Sequence, residues 1–525
     1  MCFRIAMISL HTSPLAPLGR TRDAGGMNVY IRGLARELSR EGMYVDIFTR
    51  RSQSTAPDIE PLGEKIRLIH LSAGPAIPLP PNDLFPYVGE FTRRLARFAD
   101  DDEQARHGYD MLHTHYWLSA AAALPLARDW DIPHVTMFHT VERLKGQQGM
   151  SGMCAARATQ PGAPLSAAQL TRIEYEARIA AQVDRIIVST DHEGEQLRKL
   201  YGLPASRMRV IPCGVDLAAF TPGVVSSLIL AGAAPHAQSA SGADAREAPR
   251  LADVVNHANW ATCVSVADVA DVADVADVAD VAVATDARER CAAEAAQAAQ
   301  AAQAAQAAQA ALAQARDEAR RTIVARHDLG DAPILLFVGR LDPIKGIDLL
   351  LESAAQLRHP AQVIVVGGDP TAPAGDPEIA RLRARADELG VLDRVRFPGA
   401  VAQDELPTYY RAADVLVITS RYESFGLVAV EALACGTPVI AARVGGLPSI
   451  VREGENGLFA AWRSPGAFAE RIDELLADDA LRAHLRAQAR HSVERFDWPR
   501  IGDRVRALYG DLTVDHRCAA ACSCF

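Results

Sequence analysis

The chain has 525 residues, 49% of them hydrophobic and 23% charged, the balance of an ordinary globular protein with room for two or three domains. A formal net charge of −10 argues against bulk nucleic-acid binding, and no apolar run reaches the roughly 18–20 residues that a membrane span needs. The nine cysteines, Cys2, Cys154, Cys213, Cys263, Cys291, Cys435, Cys518, Cys522 and Cys524, form an odd, dispersed set that reads as reduced thiols rather than a disulfide framework.

Residues 1–10 are too short an apolar stretch, and too soon polar, for a signal peptide; they read as the first buried strand of a cytoplasmic protein. Strands are expected over 3–10, 44–50, 65–72, 109–113, 132–138, 184–189 and 208–212. Several are near-continuous apolar runs, as in strands covered on both faces. Between the first two, Met27, Tyr30, Ile31, Leu34 and Leu38 fall at helical spacing and Gly42 closes the helix. Repeated strand–helix units imply a doubly wound parallel sheet, a Rossmann-like domain over 1–215.

Residues 224–316 break the pattern. Val-Ala-Asp repeats over 266–283 and Ala-Ala-Gln over 295–309, and the segment holds six of the ten net negative charges. A three-residue repeat drifts around a helix of 3.6 residues per turn, so its apolar side chains form no lasting stripe. The segment reads as a low-complexity insertion whose Ala-Ala-Gln part can form a solvated helix; a partner-binding arm is the alternative. A second alternating series follows: strand Ile334–Val338, helix 347–357, strand Gln362–Val366, then 414–418, 427–435 and 438–441. This makes a second Rossmann-like domain over 317–495. A helix over 496–512 is expected to pack back on the first domain, and a cysteine-bearing tail over 513–525 is expected to fray. Two such domains enclose a cleft, the favoured place for a ligand.

Three motifs point into that cleft. In Asp23-Ala24-Gly25-Gly26-Met27-Asn28 two glycines open a helix, where backbone can approach a ligand and free N–H groups attract anions. It is not the dinucleotide fingerprint, because the third glycine and the spaced acid are missing. In Gly339-Arg340-Leu341-Asp342-Pro343-Ile344-Lys345 a strand end presents Arg340 and Lys345, either as ordinary surface cations or as the partners of a departing diphosphate. In Glu423-Ser424-Phe425-Gly426-Leu427-Val428-Ala429-Val430-Glu431, Ser424 is the expected N-cap of an apolar helix running to Gly436. Glu431 on such a helix needs a buried salt bridge or a ligand's hydroxyls. The Asp-x-Asp pattern in Asp100-Asp101-Asp102 lies in a charged run and reads as solvated.

Together the Glu-x7-Glu pair, the Gly-Arg-x4-Lys strand end, the Asp-Ala-Gly-Gly-Met-Asn opening, His115-Tyr116-Trp117-Leu118-Ser119 and Ala434-Cys435-Gly436-Thr437-Pro438 resemble the retaining GT-B glycosyltransferase family. That family includes sucrose-phosphate synthase and the mycothiol-pathway inositol-phosphate glycosyltransferases. The resemblance covers 1–222 and about 318–510. It implies an α/β GT-B architecture and a retaining, metal-independent hexosyl transfer from a UDP-, GDP- or ADP-sugar to a small-molecule or glycan acceptor. No cofactor is required, and homodimerisation stays open.

The resemblance also assigns residues. Gly25 and Gly26 would hold the donor phosphate, Arg340 and Lys345 the diphosphate, Glu431 the ribose, and Glu423 with the backbone of Phe425, Gly426 and Leu427 the rest of the donor. His139 would contact the transferred sugar, its alternative being a core histidine at a strand end. His11, Asn28, Tyr116, Thr140 and Arg172 match acceptor positions. A lysine of that set is Pro81 here. Arg172 has the alternative of pairing with Glu176 one helical turn on. The rival readings are a nucleotide-sugar epimerase or hydrolase, and a non-catalytic nucleotide-sugar-binding scaffold.

Overall fold

The computed structural model describes residues 3–16, 25–105, 108–147, 165–223, 278–369 and 375–522, in two units, 1–222 with 318–525 and 223–317. The first unit is built on two sheets. The N-terminal one has strands β1 (Arg4–Ile8), β2 (Tyr44–Arg50), β3 (Ile59–Gly63), β4 (Ile66–Leu71), β5 (Met111–His115), β6 (His134–Met137), β7 (Arg185–Val188) and β8 (Met208–Val210). Their order is β3-β4-β2-β1-β5-β6-β7-β8, and only the edge strand β3 runs antiparallel to its neighbour. Ile5, Ala6, Met7 and Ile8 of β1 are wholly buried, the consequence of helices on both faces of a parallel sheet.

The C-terminal sheet has β9 (Ile334–Val338), β10 (Gln362–Val366), β11 (Val395–Gly399), β12 (Val415–Ile418), β13 (Val439–Ala442) and β14 (Gly457–Ala460). All are parallel, in the order β11-β10-β9-β12-β13-β14. In each sheet the strand order reverses around the first strand, β1 or β9. That is where an open α/β sheet holds ligands, beyond the carboxyl ends of its strands.

The last helix, Trp498–Cys522, returns to the N-terminal sheet. Its Trp498 ring occupies the space beside Gly33, where an added methyl group would stand 2.1 Å from it. Only glycine permits that approach. Farther along, Tyr509 stacks on Phe3 at 6.1 Å and its hydroxyl lies 2.6 Å from His113 Nδ1. The helix continues to Cys522 rather than fraying after 512; Cys524 lies outside the described residues.

Apart from Gly223, the described residues of the second unit lie in one helix, Val278–His327, whose Ala-Ala-Gln positions are mostly exposed. The expectation of a solvated helix there is met, and most of the Val-Ala-Asp run lies outside the described residues. Among the described residues no helix is long and apolar enough to cross a membrane. Asp102 departs from the solvated reading of its run: it pairs with Arg67 at 3.1 Å.

Candidate active site

Beyond β9 the chain turns through Gly339 and Arg340 into a short helical turn, Pro343–Lys345, capped by the Asp342 side chain on the Ile344 N–H at 3.0 Å. This turn aims Lys345 at the loop after β12, where its Nζ lies 2.6 Å from Glu423 Oε2. The pair is partly exposed, at 20% and 14% of the side chains, so neither charge is locked in the core.

Ser424 is not the expected helix cap. The cap of helix Leu427–Ala434 is Gly426, in the left-handed region at φ 107°, without a side-chain cap. Ser424 instead donates its Oγ–H to the carbonyl of His139 at 2.9 Å, tying the loop after β12 to the end of β6. Phe425 is buried edge-on against Phe496, with ring centroids 5.5 Å apart.

Glu431, buried on that helix, has no ion-pair partner among the described residues; it accepts from Tyr410 Oη at 2.7 Å and Gln403 Nε2 at 3.1 Å. The salt-bridge alternative is thereby replaced by two neutral donors. Burial raises its carboxyl to about 7, against the pull of those two hydrogen bonds.

From the N-terminal side, helix Gly26–Arg40 points its start at these groups. A methyl group on Gly25 would stand 3.8 Å from Arg340 Cδ, and one on Gly26 4.0 Å from Leu427 Cδ2. The first turn of that helix carries no acidic residue. Asn28 is fully buried beneath this turn. Its Nδ2 donates to Ser13 O at 2.6 Å and Thr12 Oγ1 at 3.3 Å, and its Oδ1 accepts from Gly25 N at 3.3 Å. Asn28 thus shapes the turn, and its amide is spent on protein.

Tyr116 and His139, at the ends of β5 and β6, both have positive φ, 74° and 59°, a strained choice that persists where the surroundings over-determine it. His139 Nε2 lies 3.1 Å from His115 Nδ1. Burial, then the neighbouring His11, lowers His139 to about 3. His11 packs on the Tyr116 ring at 4.2 Å, and burial, then Arg172, lowers it to about 3 as well.

Tyr116, Thr140 and Arg172 converge. The Arg172 guanidinium reaches Tyr116 Oη at 2.9 Å and Thr140 O and Oγ1 at 2.8 and 3.1 Å. It also pairs with Glu176 at 2.7 Å and Glu142 at 3.1 Å. The helical-turn pairing with Glu176 is therefore present, alongside the convergence read from the resemblance. Five contacts match the five N–H groups of arginine, two of them to carboxylates. The lysine position of that set, Pro81, opens a short helical turn, Pro81–Asp83, and supplies no cation.

Tyr410, Gln403 and Glu142 carry no motif in the sequence, and His115 stands in one without a role of its own. The signal for the first two was Glu431 itself, since a buried carboxylate demands donors, but their place on other segments was not legible. A cavity of about 620 Å³ lies beside the 423–424 loop, walled by Arg421, Arg443 and Arg463 together with 190–192. None of the residues singled out from the sequence lines it.

Two family models match the chain: Glycosyltransferase Family 4 over 24–219 and Glycosyl transferases group 1 over 319–492. The D-inositol 3-phosphate glycosyltransferase of Xylanimonas cellulosilytica is 33% identical over 514 residues, 97% of each chain. The structure of sucrose-phosphate synthase from Thermosynechococcus elongatus is 29% identical, with a TM-score of 0.70 over 98% of this chain and 100% of that one. A HepE protein of Anabaena, crystallised with UDP and glucose, shares the fold at 17% identity and a TM-score of 0.58, over 97% of this chain and 100% of that one.

Proposed function

The chain belongs to the GT-B glycosyltransferases, and from that premise we propose that it moves a sugar from a nucleoside-diphosphate sugar to a phosphorylated cyclitol of the inositol phosphate kind, with retention of configuration and without a metal ion. The observation that carries the donor half is the approach of Gly25 to Arg340. Lys345 meets Glu423, and the helix start, with no acid in its first turn, approaches the Arg340 side chain. An anion between them meets oriented N–H dipoles and two cations, which is the electrostatics a departing diphosphate needs.

In this reading the diphosphate sits between Gly25–Gly26 and Arg340–Lys345, Glu431 takes the ribose hydroxyls in exchange for Gln403, and Glu423 and His139 hold the sugar. The bond from the anomeric carbon to the phosphate oxygen breaks as the acceptor oxygen approaches on the same face. The acceptor's proton passes to the leaving phosphate, and Arg340 and Lys345 stabilise the charge that develops there.

For the acceptor, support comes from the relatives' substrate name and from the Tyr116–Thr140–Arg172 cluster. A phosphate can join that cluster only by displacing a carboxylate, and Glu142 is the candidate. It stands in the short helix Glu142–Gln147, meets one Nη of Arg172 and accepts from Gln169 Nε2 at 2.9 Å, while Glu176 meets Arg172 Nε, Tyr201 and the backbone of 142. Removing the competitor should therefore help binding. With D-inositol 3-phosphate as acceptor, Glu142→Gln is expected to lower the acceptor KM, and Arg172→Lys, which loses the bidentate fork, to raise it about ten- to a hundredfold. Donor KM should stay unchanged in both. Unaltered acceptor KM in both variants, or equal use of unphosphorylated inositol, contradicts the anionic acceptor.

A further inference from the structure

The proposed function sets His139 beside the transferred sugar, and the inference drawn here rests on that reading. His139 Nε2 faces Nδ1 of His115 at 3.1 Å, and His115 is wholly buried at the end of β5. One proton lies between the two nitrogens, and it can belong to either ring. If His139 owns it, His115 must carry its own proton on Nε2. That Nε2 is buried and has no hydrogen-bond partner among the described residues, so an N–H would be orphaned in the core. If His115 owns the proton, the same Nε2 is only an unpartnered lone pair. A buried N–H without a partner is the rarer and costlier of the two.

We infer that His115 is the positioning residue of His139: its Nδ1–H fixes the ring and the tautomer, so that His139 offers an Nδ1–H donor to the sugar and has no free lone pair with which to take the acceptor's proton. The packing holds both rings in place. Tyr30 meets both rings edge-on, at 5.6 Å for His115 and 5.7 Å for His139. His113 covers His115 at 4.5 Å and is itself held by Tyr509. His113 and His115 touch without a hydrogen bond between them, so this column braces His115 and conducts no proton. Burial, then His113 and His139, keeps His115 well below the usual histidine range, and both rings are neutral at physiological pH. The acceptor's proton therefore leaves through the departing phosphate.

The test is ¹⁵N imidazole NMR of the full chain labelled at histidine, with the His139 signals identified by their loss in His139→Gln. Wild type should show His139 protonated on Nδ1 and bare on Nε2. His115→Asn, whose amide can donate from the position of Nδ1, should keep that pattern. His115→Leu should mix the two tautomers and lower kcat roughly ten- to a hundredfold, with donor KM little changed. A proton on His139 Nε2 in the wild type overturns the inference whether or not the His115 variants fold. So does a wild-type pattern in His115→Leu, or an Asn variant no better than Leu. If the tautomer is as expected but His139→Gln transfers sugar at the wild-type rate, the sugar contact is overturned and the tautomer assignment is not.

Discussion

Glu431 concentrates the conflict between stability and function at a single residue. Its carboxyl rises from 4.5 to about 7 on burial, so between those values the folded chain holds a proton the unfolded chain has lost. Folding is then favoured as pH falls through this window, and the full penalty applies above it. Glu431→Gln keeps an acceptor for Tyr410 and removes the charge. At pH 8 it is expected to raise the melting temperature by an amount equivalent to about 1–3 kcal/mol, and at pH 4.5 the gap should close. A gap independent of pH between those values contradicts the burial argument. The same variant should raise the donor KM, because a neutral amide is a poorer partner for two ribose hydroxyls. The sequence marked Glu431 because a lone charge on an apolar helix is costly wherever it lies. It could not mark Tyr410 and Gln403, which stand 21 and 28 residues away and meet Glu431 only in the folded chain. Arg172 shows the same limit: Glu176 one turn on was legible, and Glu142 was not.

At the scale of elements, the return of the last helix is the contact most exposed to test. Gly33 lies on helix Gly26–Arg40 under the Trp498 ring, and a methyl group there would stand 2.1 Å from it. Gly33→Ala should destabilise by about 1–3 kcal/mol in thermal unfolding, the usual effect of overpacking. Gly89→Ala, on helix Val88–Asp101 with its nearest neighbour 3.6 Å away, should be neutral or stabilising. Equal losses in both would remove the packing explanation. The buried strands were legible because continuous apolar runs suit a parallel sheet. The edge strands β3, β11 and β14 were not. β3 reads Ile-Glu-Pro-Leu-Gly and is half exposed, and proline in a strand belongs at an edge. Ser424 failed as a cap because the helix begins later, at Leu427 behind Gly426 in the left-handed region; its hydroxyl donates instead to the His139 carbonyl.

For the whole molecule, the repeat-rich segment is expected to be dispensable. Replacing 225–315 by about ten glycine and serine residues should leave turnover and melting within a small factor of wild type, since closure entropy grows only slowly with loop length. A folded deletion without activity would make the segment part of the catalytic machinery. The cut spares Ala319 and Ile323, which are buried in the core of the first unit. Sugar transfer is proposed where Gly25 approaches Arg340 and Lys345 meets Glu423. Proton NMR of the reaction tests it most directly, following the anomeric signals of UDP-, GDP- and ADP-sugars with D-inositol 3-phosphate, for wild type and for Lys345→Ala. The expected result is a product with the donor's anomeric configuration, formed at least about a hundredfold more slowly by the folded variant, the scale of one lost contact to a developing oxyanion. A product of inverted configuration, or a variant that keeps the wild-type rate, would contradict it.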